Sequence, residues 1–187
     1  FQSTGAFTGL TAGNYTVVSE DANGCQFPVA VLITEPTLLT GSLANSTAVN
    51  CNGSSDGALT VSASGGTPNY QYSIDGVTFQ STGDFIGLTA GNYTITVEDA
   101  NDCQATVTAT VTEPTVVSVS ISNTVNTTCS GSSDGSLTAV GSGGTPNYQY
   151  SIDGVVFQST GDFTGLTAGT YTITVQDDNG CQSTVSG

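Results

Sequence analysis

Apolar residues alternate with Thr and Ser through most of this chain. Leu59, Val61 and Ala63 are separated by Thr60 and Ser62, and Tyr70, Tyr72 and Ile74 by Gln71 and Ser73. Tyr93, Ile95 and Val97 follow the same rule, as do Ala105, Val107, Ala109 and Val111 with Thr between them. A two-residue period sends one set of side chains to a buried face and the other to water, so each run predicts a half-buried β-strand. Thr at the outward positions suits a pleated surface. A 3.6-residue period is absent, so no helix is predicted. Between the runs, Asp75-Gly76 suits a two-residue turn with positive φ, and Asn23-Gly24 and Asn179-Gly180 do the same ahead of Cys25 and Cys181. The middle copy has Asn101-Asp102 there. Gly65-Gly66-Thr67-Pro68 marks a further reversal.

The pattern repeats. Cys25, Cys103 and Cys181 lie 78 residues apart, as do Cys51 and Cys129. Of the 53 aligned positions from Cys51 to Cys103 and from Cys129 to Cys181, 42 are identical, so both copies share one fold. Phe1 to Gln26 matches Phe79 to Gln104, which puts the first residue inside a repeat and predicts a longer array. Six or seven short strands per period, with turns every 8 to 12 residues or about that, predict tandem immunoglobulin-like antiparallel β-sandwiches. The expected boundaries are 1–36 (the C-terminal part of a repeat), 37–114 (a complete repeat) and 115–187 (a nearly complete one). Leu88-Thr89-Ala90-Gly91-Asn92-Tyr93 recurs at Leu10 to Tyr15 and Leu166 to Tyr171. This pattern resembles a tyrosine corner, in which Tyr15, Tyr93 and Tyr171 would fold their hydroxyls back onto upstream backbone. The joins Thr34-Glu35-Pro36-Thr37 and Thr112-Glu113-Pro114-Thr115 are short and Pro-bearing, so successive sandwiches should stack nearly end to end.

Composition removes most chemistry. The 187 residues include 15 Asp and Glu but no Lys, Arg or His, giving a formal charge of −15 that no side-chain ion pair can offset. Nucleic acid and anionic lipid are therefore poor partners, and the expectation is no nucleic acid and no membrane insertion in this segment. No apolar run is long enough to span a membrane, and no signal pattern opens the chain. Acid–base and nucleophilic catalysis normally draw on His or Lys, so the expectation is that this is not an enzyme. The five Cys are read as an oxidising-compartment framework, pairing Cys51 with Cys103 and Cys129 with Cys181, and leaving Cys25 for an upstream partner. Zinc is disfavoured, since close ligand pairs and His are both missing. If Cys51 meets Cys103, then Asp56, Asp99 and Asp102 gather at one end as a candidate Ca²⁺ set. The preferred reading keeps them as solvated turn formers, with no metal and no cofactor.

Taken together, Cys51-Asn52-Gly53, Asp56-Gly57, Gly65-Gly66-Thr67-Pro68, Tyr70-Gln71-Tyr72-Ser73, Ala90-Gly91, Tyr93 and Asp99-Ala100-Asn101-Asp102-Cys103 resemble the SprB repeat. The resemblance covers essentially the whole chain. That repeat occurs in very large cell-surface proteins of Bacteroidota, including a gliding-motility adhesin. The resemblance implies export by the type IX secretion route, display outside the outer membrane, and adhesion or gliding. Two functions remain in view. One is a structural stalk or spacer of a cell-surface adhesin or extracellular filament, whose partners are neighbouring repeats, other copies in a filament, and surface polysaccharide. The other is a carbohydrate-binding module of a secreted hydrolase, using Tyr70, Tyr72, Phe79 and Phe85.

Overall fold

In the computed structural model, which describes residues 2–187, the alternating runs become strands and no helix occurs among the described residues. A hairpin of β1 (Gly13–Glu20) and β2 (Gln26–Ile33) comes first. The next six strands are β3 (Thr40–Thr47), β4 (Gly57–Ser64), β5 (Gln71–Ser73), β6 (Asp84–Leu88), β7 (Gly91–Glu98) and β8 (Gln104–Val111). Six equivalents follow: β9 (Ser118–Val125), β10 (Gly135–Ser142), β11 (Gln149–Ser151), β12 (Asp162–Leu166), β13 (Thr172–Gln176) and β14 (Gln182–Ser186).

Each set of six divides into two three-stranded antiparallel sheets. In the first repeat these are β3-β4-β6 and β5-β7-β8, and in the second β9-β10-β12 and β11-β13-β14. Two sheets facing each other over a core of alternating inward residues make an immunoglobulin-like sandwich. Leu59 and Val61 from one sheet meet Ile95, Val97, Val107 and Val111 from the other, and Ile95 and Val97 are fully shielded. Leu137, Ala139, Ile173 and Val175 repeat the arrangement in a separate second core. Hairpin β1–β2 has the register of β7–β8, with Glu20 opposite Gln26 as Glu98 is opposite Gln104.

The reversal at Asp75-Gly76 is wider than the expected two-residue turn. Tyr72 bridges Gln80 across it, and the Asp75 carboxylate fills the loop by accepting hydrogen bonds from Val77 N and Thr78 N at 2.8 and 2.7 Å. Ser73 Oγ donates to the same oxygen at 2.8 Å. An Asx-type side chain thus supplies the closure that a tight backbone turn would otherwise give. These bonds, the one from Thr78 N foremost, hold the Asp75 carboxyl well below the usual carboxylate range.

The Gly65-Gly66 pair has a steric cause. Both residues have positive φ, and a Cβ on Gly65 would fall 2.0 Å from the carbonyl oxygen of Leu38. The segment therefore folds flat over the start of its own repeat, where Gly66 N donates to Thr37 O at 2.7 Å.

Candidate functional site

Each sandwich has a leading end, where the chain comes in, and a trailing end, where it leaves. Strand direction assigns the loops. Gly57 of β4 lies opposite Leu88, and Gly91 of β7 lies opposite Val111, so these all sit at the trailing end. The loop before β4, Asn50–Gly53, is therefore a trailing loop. It is fastened to the exit segment by Val49 N to Thr112 O (3.0 Å), Asn52 Nδ2 to Pro114 O (3.0 Å) and Gly53 N to the Glu113 carboxylate (2.9 Å). The Asp56 carboxylate accepts from Asn50 N at 3.1 Å and from the Asn50 side-chain amide, which sets the loop's shape.

The leading end is organised by a buried carboxylate. Asp99, 4% exposed, accepts from Thr67 N at 2.8 Å, Asn101 N at 2.9 Å and Cys103 N at 3.0 Å. In a chain with no cation, backbone N–H groups are what can compensate a buried negative charge. They hold the Asp99 carboxyl below its ordinary value, the bond from Thr67 contributing most. Asp177 makes the same three bonds in the second repeat, to Thr145 N (2.8 Å), Asn179 N (3.0 Å) and Cys181 N (2.8 Å).

These two ends meet at the joint between repeats. Cys51 of the trailing loop is bonded to Cys181 of the next repeat's leading turn, with Cα atoms 5.7 Å apart and 130 residues between them in sequence. That separation is ordinary for a bridge. Beside it, Asn179 Nδ2 donates across the joint to Asn50 O at 3.0 Å, and also to Thr145 Oγ1 within its own repeat at 3.0 Å. Cys25, Cys103 and Cys129 are exposed thiols. The Asp99 carboxylate beside Cys103, with burial a smaller cause, pushes that thiol above its ordinary value.

The expected pairs Cys51–Cys103 and Cys129–Cys181 are corrected by this arrangement. Cys51 precedes β4 at the trailing end, whereas Cys103 follows β7 at the leading end, and eight residues of strand, about 26 Å, separate the two ends. The candidate Ca²⁺ set fails for the same reason, since Asp56 lies at the trailing end and Asp99 and Asp102 at the leading end. No group of three His, Cys, Asp or Glu residues converges among the described residues.

The three corner tyrosines each donate to the carbonyl four residues upstream: Tyr15 to Thr11 O (2.8 Å), Tyr93 to Thr89 O and Tyr171 to Thr167 O (both 2.9 Å). Of the aromatics offered as a sugar platform, Tyr72 and Phe85 are core residues. Tyr70 is half-buried with its hydroxyl donating to Gly65 O at 2.7 Å. The polar residues that build the joint, Asn50, Glu113 and Asn179, were not singled out from the sequence. Glu113 had a signal in the Glu-Pro of both joins, and Asn179 in the Asn two residues before Cys25, Cys103 and Cys181, whereas Asn50 had none, since Thr128 stands at its equivalent.

No curated protein matches the chain. Similar solved structures include three N-terminal domains of the bacteriophage RB49 highly immunogenic outer capsid protein, at 19% identity and a TM-score of 0.48, covering 80% of this chain and 58% of that one. The N-terminal eight Ig domains of Down syndrome cell adhesion molecule match at 16% identity and a TM-score of 0.40, covering 94% of this chain and 26% of that one. The C-terminal fragment of intimin matches at 21% identity and a TM-score of 0.38, covering 82% and 64%. The chain thus spans less than two thirds of each of these. The SprB repeat model matches residues 43–79 and 121–157, running in each sandwich from the first strand to the loop after the third. Each sandwich therefore carries one match to the SprB repeat model, which supports the resemblance read from the sequence.

Proposed function

We propose that these sandwiches are spacer units of a secreted, cell-surface adhesin or extracellular filament, and that they extend and present a binding end without catalysing a reaction. The observation that carries this reading is the joint. Two near-identical units meet trailing end to leading end through a short Pro-bearing segment, held by side-chain hydrogen bonds and a disulfide. A head-to-tail contact of this kind repeats without closing, and reach then scales with copy number.

Other features support the same conclusion. The disulfide favours an oxidising, extracellular location. The chain lacks His and Lys for acid–base work, and the carboxylates of Asp75 and Asp99 are engaged by backbone N–H groups in turns. The two SprB repeat matches favour display outside the outer membrane by type IX secretion, and a role in attachment or gliding in Bacteroidota. Neighbouring repeats are the immediate partners, with other copies in a filament and surface polysaccharide as further ones. No metal or cofactor is required for this role. Electron microscopy of native surface material tests it: beaded or continuous fibres with one bead per 78 residues are expected, and freely dispersed single domains would overturn it.

A further inference from the structure

We propose that the Cys51–Cys181 bond is one rung of a ladder, in which the trailing-loop Cys of every repeat is bonded to the leading-turn Cys of the next. The proposal rests on the tandem-array reading and specifies what holds its joints. Both halves of the bonded pair occur again in the chain, built the same way. The trailing loop of Cys51, with Ser54 N donating to Cys51 O at 3.0 Å, recurs at Cys129, where Ser132 N donates to Cys129 O at 3.1 Å. Asp134 holds Thr128 N at 3.1 Å as Asp56 holds Asn50 N. The leading turn of Cys181 recurs at Cys103 and at Cys25, each with an Asp four residues earlier accepting the Cys N–H. Even the amide that crosses the joint has its counterpart, since Asn101 Nδ2 donates to Thr67 Oγ1 at 2.7 Å as Asn179 does to Thr145. Cys103 and Cys129 are thus exposed thiols held in the same backbone frame as the two that are bonded. They lie at opposite ends of the two-repeat unit, each facing the position an adjoining repeat would take.

Formation needs a disulfide-carrying oxidant of the exported compartment. One Cys thiolate attacks the oxidant's S–S bond, giving a mixed disulfide and releasing one oxidant thiol. The second Cys thiolate then attacks the mixed disulfide, completing the protein bond and releasing the other oxidant thiol. Two protein thiols are oxidised, the oxidant's disulfide is reduced to two thiols, and the protons pass to the released thiolates.

The spacing gives the ladder a property that bonds within repeats would lack. Each rung spans 130 residues while the period is 78, so consecutive rungs overlap and every backbone position in the array lies inside at least one of them. A single cut in the backbone leaves the array in one piece. Tension also bypasses most of the chain. The shortest covalent path runs along the 26 residues from Cys25 to Cys51, across a rung to Cys181, and onward, using one such segment for every two repeats. Fully stretched, that segment spans about 90 Å, against about 530 Å for two unclamped repeats. An array clamped in this way can gain little length even if its sandwiches unfold.

The test uses the full-length native protein from the cell surface, with free thiols alkylated at once and the protein then cut before Asp. Cys25 and Cys51 fall in peptide 21–55, Cys103 and Cys129 in 102–133, and Cys181 in the peptide that begins at Asp178. The ladder requires 21–55 bonded to the peptide beginning at Asp178, and both Cys103 and Cys129 alkylated only after reduction. A bond from 21–55 to 102–133, or alkylation of Cys103 or Cys129 before reduction, would overturn it. Stretching single molecules gives a second readout: reductant should make the extensible length about sixfold greater, and an unchanged length sinks the proposal. Fibre images separate the two readings. Fibres with free thiols leave the stalk and remove the ladder, while rung peptides from material without fibres leave the ladder and remove the stalk.

Discussion

Replacing Cys51 by Ser should destabilise both repeats, and the loss can be worked out from the loop that the disulfide closes. Cys51 belongs to neither hydrophobic cluster, so the substitution leaves both cores intact and acts through the missing bond. With 130 residues between the partners, cross-linking lowers the entropy of the fully unfolded chain by an amount worth about 5 kcal/mol at 25 °C. If the second repeat unfolds while the first stays folded, the freed loop runs only from the end of β8 to Cys181. The same relation then gives about 4 kcal/mol. Cys103→Ser removes no bond and should change stability by less than about 0.5 kcal/mol.

Guanidinium unfolding of the 187-residue chain without reductant, followed by Tyr fluorescence and far-ultraviolet dichroism, separates these cases. With a slope of about 2 kcal/mol per M for a domain of this size, the midpoint of the Cys51→Ser chain should fall by roughly 2 M. Cys181→Ser should match it, and the double variant should lose no more than either single one, the signature of one shared interaction. The reasoning is refuted if Cys103→Ser falls as far as Cys51→Ser, if the two losses add, or if reductant leaves the parent midpoint where it was.

Other expectations follow from single residues. Ile95→Ala empties a fully shielded site between the sheets and should cost about 2–5 kcal/mol, read as a lowered unfolding midpoint for the first repeat, with Ile173→Ala doing the same for the second. Asp102 holds a φ of +62° where the equivalent turns have Gly24 and Gly180, so Asp102→Gly should raise the first repeat's stability by about 1 kcal/mol in the same assay. Asp153 is pulled down to about 2 by hydrogen bonds from Val156 N, Val155 N and Ser151. A lowered folded value means that the charged form stabilises the fold above the unfolded value of about 3.9, and that this is lost as pH falls through the folded one. Acid titration should therefore show the stability gap between the parent and Asp153→Ala at its widest above pH 4 or thereabouts, narrowing toward pH 2; a gap that widens in acid would contradict the assignment.

Much of the fold was legible because burial in a sandwich is a two-residue code. Leu59, Val61, Ile95, Val97, Val107 and Val111 were read from alternation and all are buried. β3 left no such trace. Its sequence Thr-Gly-Ser-Leu-Ala-Asn-Ser-Thr lies at a sheet edge, and its apolar Leu43 is largely exposed. Edge strands are specified by backbone pairing more than by side chains, and pairing is invisible in composition. Asp75-Gly76 was legible as a reversal but not as a side-chain-filled loop, because Asp serves both.

The cysteine pairing was illegible for a deeper reason. Periodicity reports which residues are equivalent, not whether the partner of a residue lies in its own copy or the next one. That depends on which end of the sandwich each loop occupies, and so on the number of reversals between them. Four strands, β4 through β7, lie between Cys51 and Cys103, and an extra reversal between β5 and β6, where Gln80 pairs back antiparallel with Tyr72, brings the chain out at the far end.

The charge of the chain explains why such a joint should be covalent. Association between soluble domains usually draws on apolar area and on opposite charges, and the second is missing here, while the hydrogen bond that crosses this joint is between polar groups. Its trailing face presents Asn50, Asn52 and Glu113, its leading face Thr145, Asp177, Asp178 and Asn179, and no cation exists in the chain to stand between the carboxylates. The hydrogen bond from Asn179 to Asn50 contributes about 1 kcal/mol net, less than the cost of fixing one domain against another. The disulfide supplies what the surfaces do not. Before oxidation, the uncompensated negative charge disfavours association between separate chains. Once the bond has formed, each repeat's stability depends on its neighbour as well as on its own small core.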